Sequence, residues 1–167
     1  MSSLLRRGMS AASALLLSAC AGLGGPALAP GAPEAEVLAR LGQPTHVYQD
    51  GDTRLLEYMR GPMGQTTDMA RIGPDGRLQS LTQVLTMESF ARIVPGVTRQ
   101  EQVLRIVGAP SEVRFYRHPG MRAWNYPYKE SNVWDSMMTI YIDDTGLVRR
   151  IENGPDPRRM PSHWGKG

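Results

Sequence analysis

The apolar positions of this chain spell one phrase twice. In "PEAEVLARLGQP", which ends at Pro44, and "VTRQEQVLRIVGAP", which ends at Pro110, one constant offset pairs Val37 with Val103, Leu38 with Leu104, Leu41 with Val107, Gly42 with Gly108, Pro44 with Pro110 and Val47 with Val113. Val103, Leu104 and Val107 stand at the i, i+1 and i+4 spacing that draws an apolar stripe along a short helix. Thr98, three residues before Glu101, predicts a capping box; Gly108 supplies a positive-φ stop, and Pro110 bars continuation. The first copy starts less well. Pro33 suits a first helical position, but Ala32 is a poor cap, so this helix is expected to fray more.

Behind each helix the pattern changes to β-prone runs broken by turn residues. They are "HVYQ", "RLLEYM", "DMARI" and "LQSLTQVL" in the first copy and "EVRFYR", "RAWNY", "MMTIYI" and "LVRRIE" in the second. Tyr58 matches Tyr126, Ile72 matches Ile142, and Gly76 and Gly146 sit in "GPDGRL" and "DDTGLV", where a hairpin calls for positive φ. "MESFARIV" reads as a short leading helix for the second copy. Alternation in "MTIYID" sends Met138, Ile140 and Ile142 inward and leaves Thr139 and Tyr141 on an open face.

A lone sheet of three or four strands with one short helix can hardly bury a core. The expected fold class is therefore α+β: two tandem helix-plus-antiparallel-strands pseudo-repeats sharing one sheet, with the helices packed on one face. The expected divisions are a signal peptide over 1–19, a flexible tether over 20–32, the first repeat over 33–86, the second over 87–154 and a flexible tail over 155–167.

The N-terminal segment has a basic start at Arg6 and Arg7, an apolar run from Ala11 to Leu17 and a small-residue exit, the layout of a secretory signal. "LSAC", Leu17 to Cys20, resembles the lipobox of bacterial lipoproteins, whose cysteine receives diacylglycerol and becomes the new N-terminus. Cys20 is then the lipidation site, which also accounts for a single cysteine in an exported chain. An ordinary signal peptide cut after Ala29 is the alternative. By the sorting rule of such lipoproteins, Ala21 rather than Asp behind the cysteine directs the protein to the outer membrane, periplasmic face. "AGLGGPALAPGAP" is uncharged and too poor in packing residues to fold, hence the tether.

Lys and Arg total 19 against 16 Asp and Glu, a formal charge of +3 over 167 residues. Cleavage before Cys20 removes Arg6 and Arg7 and leaves the mature chain near neutrality. With no face or helix concentrating basic residues, nucleic acid is not an expected partner.

"FARIVPGVTRQEQVLRIVGAP", followed by "WNYPY", "MTIYIDDTG" and "LVRRIENG", resembles the SmpA/OmlA (BamE-like) family of small outer-membrane lipoproteins. The resemblance rests on Gly96, Thr98, Val103, Gly108, Pro110 and Gly146, over residues 87–154, with a weaker copy over 33–84. It implies a helix-plus-sheet fold and an accessory role in assembling β-barrel proteins into the outer membrane. The duplication is also similar to the tandem shape of the β-lactamase inhibitor protein, in which an open sheet face binds another protein. The SmpA/OmlA (BamE-like) family usually carries one unit; this chain has two.

Candidate chemistry is sparse. The three histidines, His46, His118 and His163, stand in no metal-binding spacing. Asp143 and Asp144 form a carboxylate pair on a predicted turn, where Asp satisfies backbone N–H groups. Met59, Met63, Met69, Met137 and Met138 cluster around matching strands and invite a copper reading, against which core filling is the simpler use of methionine. No metal, cofactor or catalysis is expected. Aromatic residues are enriched at interface hot spots, and the loop "YPYKESNVWDS" offers Tyr126, Tyr128 and Trp134 as partner-binding residues beside the open face of the second repeat. The expected function is a non-catalytic scaffold or modulator in envelope protein assembly, with possible barrel-assembly subunits as partners; the alternative is a lipid-tethered periplasmic binding or inhibitor module. The tail, with Arg158, Arg159 and Trp164, suits contact with anionic lipid or a frayed terminus.

Overall fold

The computed structural model describes residues 28–117 and 120–160. Cys20, the signal segment, His118, His163 and Trp164 lie outside the described residues.

Each half of the chain builds one short helix and four antiparallel strands. The first half runs α1 (Glu34–Leu41), β1 (His46–Asp50), β2 (Thr53–Arg60), β3 (Thr66–Ile72) and β4 (Leu78–Gln83); the second adds a leading helix, α2 (Met87–Phe90), then α3 (Gln100–Val107), β5 (Glu112–Tyr116), β6 (Met121–Glu130), β7 (Trp134–Asp143) and β8 (Val148–Pro155). A 3-10 turn at Pro62–Gly64 joins β2 to β3.

The duplication reaches individual backbone hydrogen bonds. Gly42 N–H donates to Leu38 O and Gly108 N–H to Leu104 O; Thr45 N–H donates to Glu57 O and Ser111 N–H to Asn125 O; Glu34 N–H donates to Gly76 O and Gln100 N–H to Gly146 O. Both helix-closing glycines take nearly the same conformation, φ 81° and ψ −165° at Gly42, φ 81° and ψ −168° at Gly108. A side chain is disfavoured there, which is why Gly stands at both positions.

The single shared sheet is not formed. Among the described residues strands account for 48% against 18% helical, so the molecule is mostly antiparallel β rather than α+β. They form two separate sheets, ordered β1-β2-β3-β4 and β5-β6-β7-β8. The physical reason lies in β2, where Leu55, Leu56, Glu57 and Tyr58 are all buried. Successive residues of a strand point to opposite faces, so the first sheet is covered on both sides. One face, with Leu56, Tyr58, Ala70 and Ile72, packs with Val37 of α1. The other carries Leu55, Met69 and Val84 in a small cluster of their own, and there the end of α3 comes down on Glu57. An edge-joined sheet would leave that face in water, so the repeats stack face to helix instead.

In the second sheet Trp124, Tyr126, Tyr128, Met138, Ile140 and Ile142 form the main core with Phe90, Val103 and Val107 of the helices. On its far face Ala123 and Asn125 of β6 are buried, Thr139 and Tyr141 are half-buried, and Arg114, Arg150 and Glu152 are exposed. β7 alternates as expected: Met138, Ile140 and Ile142 are buried, while Thr139 and Tyr141 are only half-buried.

Local corrections follow the same physics. Only half of the expected capping box forms on α3, one residue later: the Arg99 N–H donates to Gln102 Oε1 at 2.8 Å, while the Arg99 guanidinium has no acceptor to offer in return. Thr98 is already engaged, its hydroxyl accepting from the Val94 N–H at 2.8 Å. Pro33 is the N-cap of α1 rather than its first helical residue, and no side chain caps that helix. The expected tether is tied down at its end, since Gly31 N–H donates to Leu78 O and Leu78 N–H to Ala32 O. The expected tail also begins folded: Asp156 is fully buried and grips Arg158 through two hydrogen bonds of 2.9 and 2.8 Å.

The β7–β8 turn is held by Asp143. Its carboxylate accepts from the Thr145 hydroxyl at 2.7 Å and from the Thr145 and Leu147 N–H groups at 2.9 and 3.0 Å, and it meets Arg149 Nε at 2.6 Å. The Thr145 hydroxyl first, then the Leu147 N–H and Arg149, hold this carboxyl far below the usual carboxylate range. A depressed folded-state pKa contributes stability above the unfolded value, near pH 3.9, and loses it as pH falls toward the folded one. Asp143→Asn is therefore expected to unfold at lower urea than wild type at pH 7, with the gap narrowing progressively below about pH 4. Urea midpoints at several pH values check this.

Candidate functional site

The structure separates the three aromatic residues expected to meet a partner. Tyr126 and Tyr128 are corrected to core residues, 1% and 0% exposed. The Tyr126 hydroxyl donates to Gly108 O at 3.0 Å, tying β6 to the end of α3. The Tyr128 hydroxyl donates to Asn153 Oδ1 at 3.0 Å, and its ring packs edge-on against Phe90 at 5.2 Å. Burial, with Glu130 nearby, pushes this hydroxyl up to about 12. Trp134 alone is exposed, at 69%. It stands at the β6–β7 hairpin end, where Ser131 and Asn132 take positive φ. By alternation along β7 it points to the helix side, away from the open face.

The open face of the second sheet carries the better candidate. Glu112 and Arg114 of β5, Asn125 of β6, Thr139 and Tyr141 of β7, and Glu152 of β8 line a groove of about 560 Å³, together with Pro157 and Arg158. The side chains order one another across the strands. Asn125 donates to Glu112 Oε2 at 3.1 Å and accepts from the Thr139 hydroxyl at 3.1 Å. Arg114 Nε meets Glu112 Oε1 at 2.9 Å, and these two donors, Arg114 first, hold the Glu112 carboxyl below its usual range. The Tyr141 hydroxyl donates to Glu152 at 2.8 Å, and the Arg150 guanidinium lies 4.1 Å over the Tyr141 ring. Burial, then the Glu152 hydrogen bond, raise the Tyr141 hydroxyl. Tyr116 adds a second ring 6.4 Å from Tyr141.

This arrangement presents donors, acceptors and two aromatic rings on a rigid strand platform. Such a surface recognises a polar partner by shape and hydrogen bonding. Thr139 and Tyr141 were legible from alternation; Glu112, Arg114 and Tyr116 were missed, although "EVRFY" alternates well enough to place them on the same side. The equivalent face of the first sheet is closed. There Glu57, the counterpart of Asn125, accepts from the Ala109 N–H at 3.2 Å and from the Tyr48 hydroxyl, with His46 Nδ1 at 3.3 Å.

Met69 and Met138 are buried in the cores of different sheets, so the methionines do not converge on one point. Among the described residues no group of three His, Cys, Asp or Glu side chains is placed to hold a metal, and no helix is long and apolar enough to cross a membrane. Comparison with known proteins adds no relative: no protein-family model, no curated protein and no solved structure matches this chain.

Proposed function

We propose that this protein is a non-catalytic scaffold of the SmpA/OmlA type, anchored by lipidated Cys20 at the periplasmic face of the outer membrane, which holds a partner in envelope protein assembly on the open face of its second sheet. The observation that carries this reading is the asymmetry between equivalent faces. The fold covers one with the neighbouring repeat but not the other, which is furnished with an ordered set of Glu112, Arg114, Asn125, Tyr141 and Arg150. The lipobox supports the location, and the repeated glycine and proline positions support the family.

Crosslinking in the native cells, followed by mild-detergent capture of the full-length lipidated protein with a Cys20→Ala control, tests the reading. Barrel-assembly subunits recovered with wild type are the expected result. Capture of one soluble periplasmic enzyme instead would move the assignment to a tethered inhibitor or binding module. A Tyr141→Ala, Arg150→Ala double variant is expected to lower recovery at least tenfold, about 1.4 kcal/mol, as loss of hot-spot side chains does. As a surface change it should shift the unfolding free energy by no more than about 1 kcal/mol. Undiminished recovery would remove the open face from the proposal.

A further inference from the structure

The first strand of the second sheet exposes apolar side chains that the fold does not require. β5 ends the order β5-β6-β7-β8, so its outer side meets no further strand among the described residues. Val113 is 53% exposed and Phe115 62%. Both lie on the side of β5 that faces Trp124, since Val113 is paired with Trp124 and Phe115 with Arg122. The counterpart strand β1 builds the same edge with Gln49 and Asp50 where β5 has Phe115 and Tyr116. Asp50 is engaged there by Arg71 at 3.0 Å and by Arg105 of α3 at 3.8 Å. Native edge strands are ordinarily blunted by charge or by a covering element. On both strands the charges point to the opposite face, Asp50 on β1 and Glu112 and Arg114 on β5; the apolar side differs in its second residue, polar Gln49 on β1 and bare Phe115 on β5.

We infer that β5 is a self-association edge, pairing antiparallel with β5 of a second copy about a two-fold axis at Val113 to give one continuous eight-stranded sheet. An unpaired edge accepts an extended strand, and the charges choose which one. A two-fold centred on Arg114 sets Arg114 opposite its own copy, and like charges directly opposite are destabilising. Centring on Val113 sets each Glu112 opposite the other copy's Arg114, two complementary pairs, while the two Val113 side chains meet on the other face with Phe115 diagonal to them, within aromatic reach. The interface is isologous and closes at two copies. It leaves the groove on the open face unobstructed and sets two such grooves side by side.

The test uses the full chain in its own membrane. Val113→Cys places a thiol on the axis, and mild oxidation is expected to give a disulfide dimer on a non-reducing gel. Val47→Cys, the counterpart position with the same 53% exposure, is expected to stay monomeric. Phe115→Gln, which copies the first repeat, should lower the Val113→Cys dimer yield several-fold. Glu112→Arg alone and Arg114→Glu alone should each lower it as well, and the two together should restore it. A Val113→Cys yield no greater than that of Val47→Cys overturns the inference. So does a double swap that remains at the level of the single variants, because the register then plays no part.

Discussion

Replacing Glu57 with Ala is expected to lower the unfolding free energy by about 3 kcal/mol, because a fully buried side chain is lost and two partly buried donors then lose their acceptor. Glu57 is fully buried between the repeats. Its carboxylate accepts from the Ala109 N–H, with both oxygens at 3.2 Å, and from the Tyr48 hydroxyl. Burial and the Glu57 contact together push that hydroxyl strongly upward, so Tyr48 stays a proton donor throughout the accessible pH range. Leaving a buried donor unpaired costs roughly 1–3 kcal/mol each, and a loss of about 3 kcal/mol in a domain of this size lowers Tm by roughly 6–12 °C. Glu57→Gln retains one acceptor oxygen and should fall between wild type and Glu57→Ala. Calorimetry and urea titration measure both. A Glu57→Ala protein as stable as wild type would mean that other contacts between the repeats, such as the Gln65 amide donating to Asp135 Oδ1 at 2.7 Å, hold them together without it.

The same residue explains what the sequence could and could not reveal. The helices, turns and most strands were legible because their signals are local: an apolar stripe closed by Gly and Pro, or Gly76 and Gly146 between β-prone runs. The stacking of the two sheets was not, because it depends on which faces are buried. "MTIYID" alternates like a strand with one face in water, but four consecutive buried residues occur in β6, Ala123 to Tyr126, as well as in "LLEY" of β2, so such a run does not by itself mark the covered sheet. The Glu within "LLEY" reads as surface, and only the Ala109 N–H, far away in sequence, makes it interior. Tyr126 and Tyr128 misled for a related reason. Aromatic side chains serve cores and interfaces equally, and a tyrosine whose hydroxyl finds Gly108 O or Asn153 can be wholly buried. Thr98 had the right spacing for a cap, yet the preceding turn claimed its hydroxyl first. The alternation of "EVRFY" puts the groove residues of β5 on one side, but only the cross-strand partners Asn125 and Tyr141 make that side part of a groove.

Gly42 and Gly108 offer a direct measure of what stacking adds. Both hold positive φ with ψ near 180°, a region that strains any residue with a Cβ by about 1–3 kcal/mol, so Gly42→Ala and Gly108→Ala share that cost. They differ in what the new methyl meets. At Gly42 nothing lies within 4 Å, whereas at Gly108 the Glu57 carboxyl carbon would be 2.8 Å away and its Oε1 2.9 Å away. Glu57 cannot withdraw without giving up the Ala109 N–H, so Gly108→Ala is expected to cost about 1–3 kcal/mol more than Gly42→Ala. In a Glu57→Ala background the methyl has room, and the extra cost should vanish; residues in contact couple in this way, and distant ones add. Urea unfolding of the two glycine variants, with and without Glu57→Ala, gives the coupling directly. A difference between the glycine sites that survives removal of Glu57 would assign it to the local backbone of α3. A difference that disappears assigns it to the contact between the repeats, and makes the Gly108–Glu57 approach a second reason, beside the positive φ that both helix ends share, for a residue without a side chain at the second.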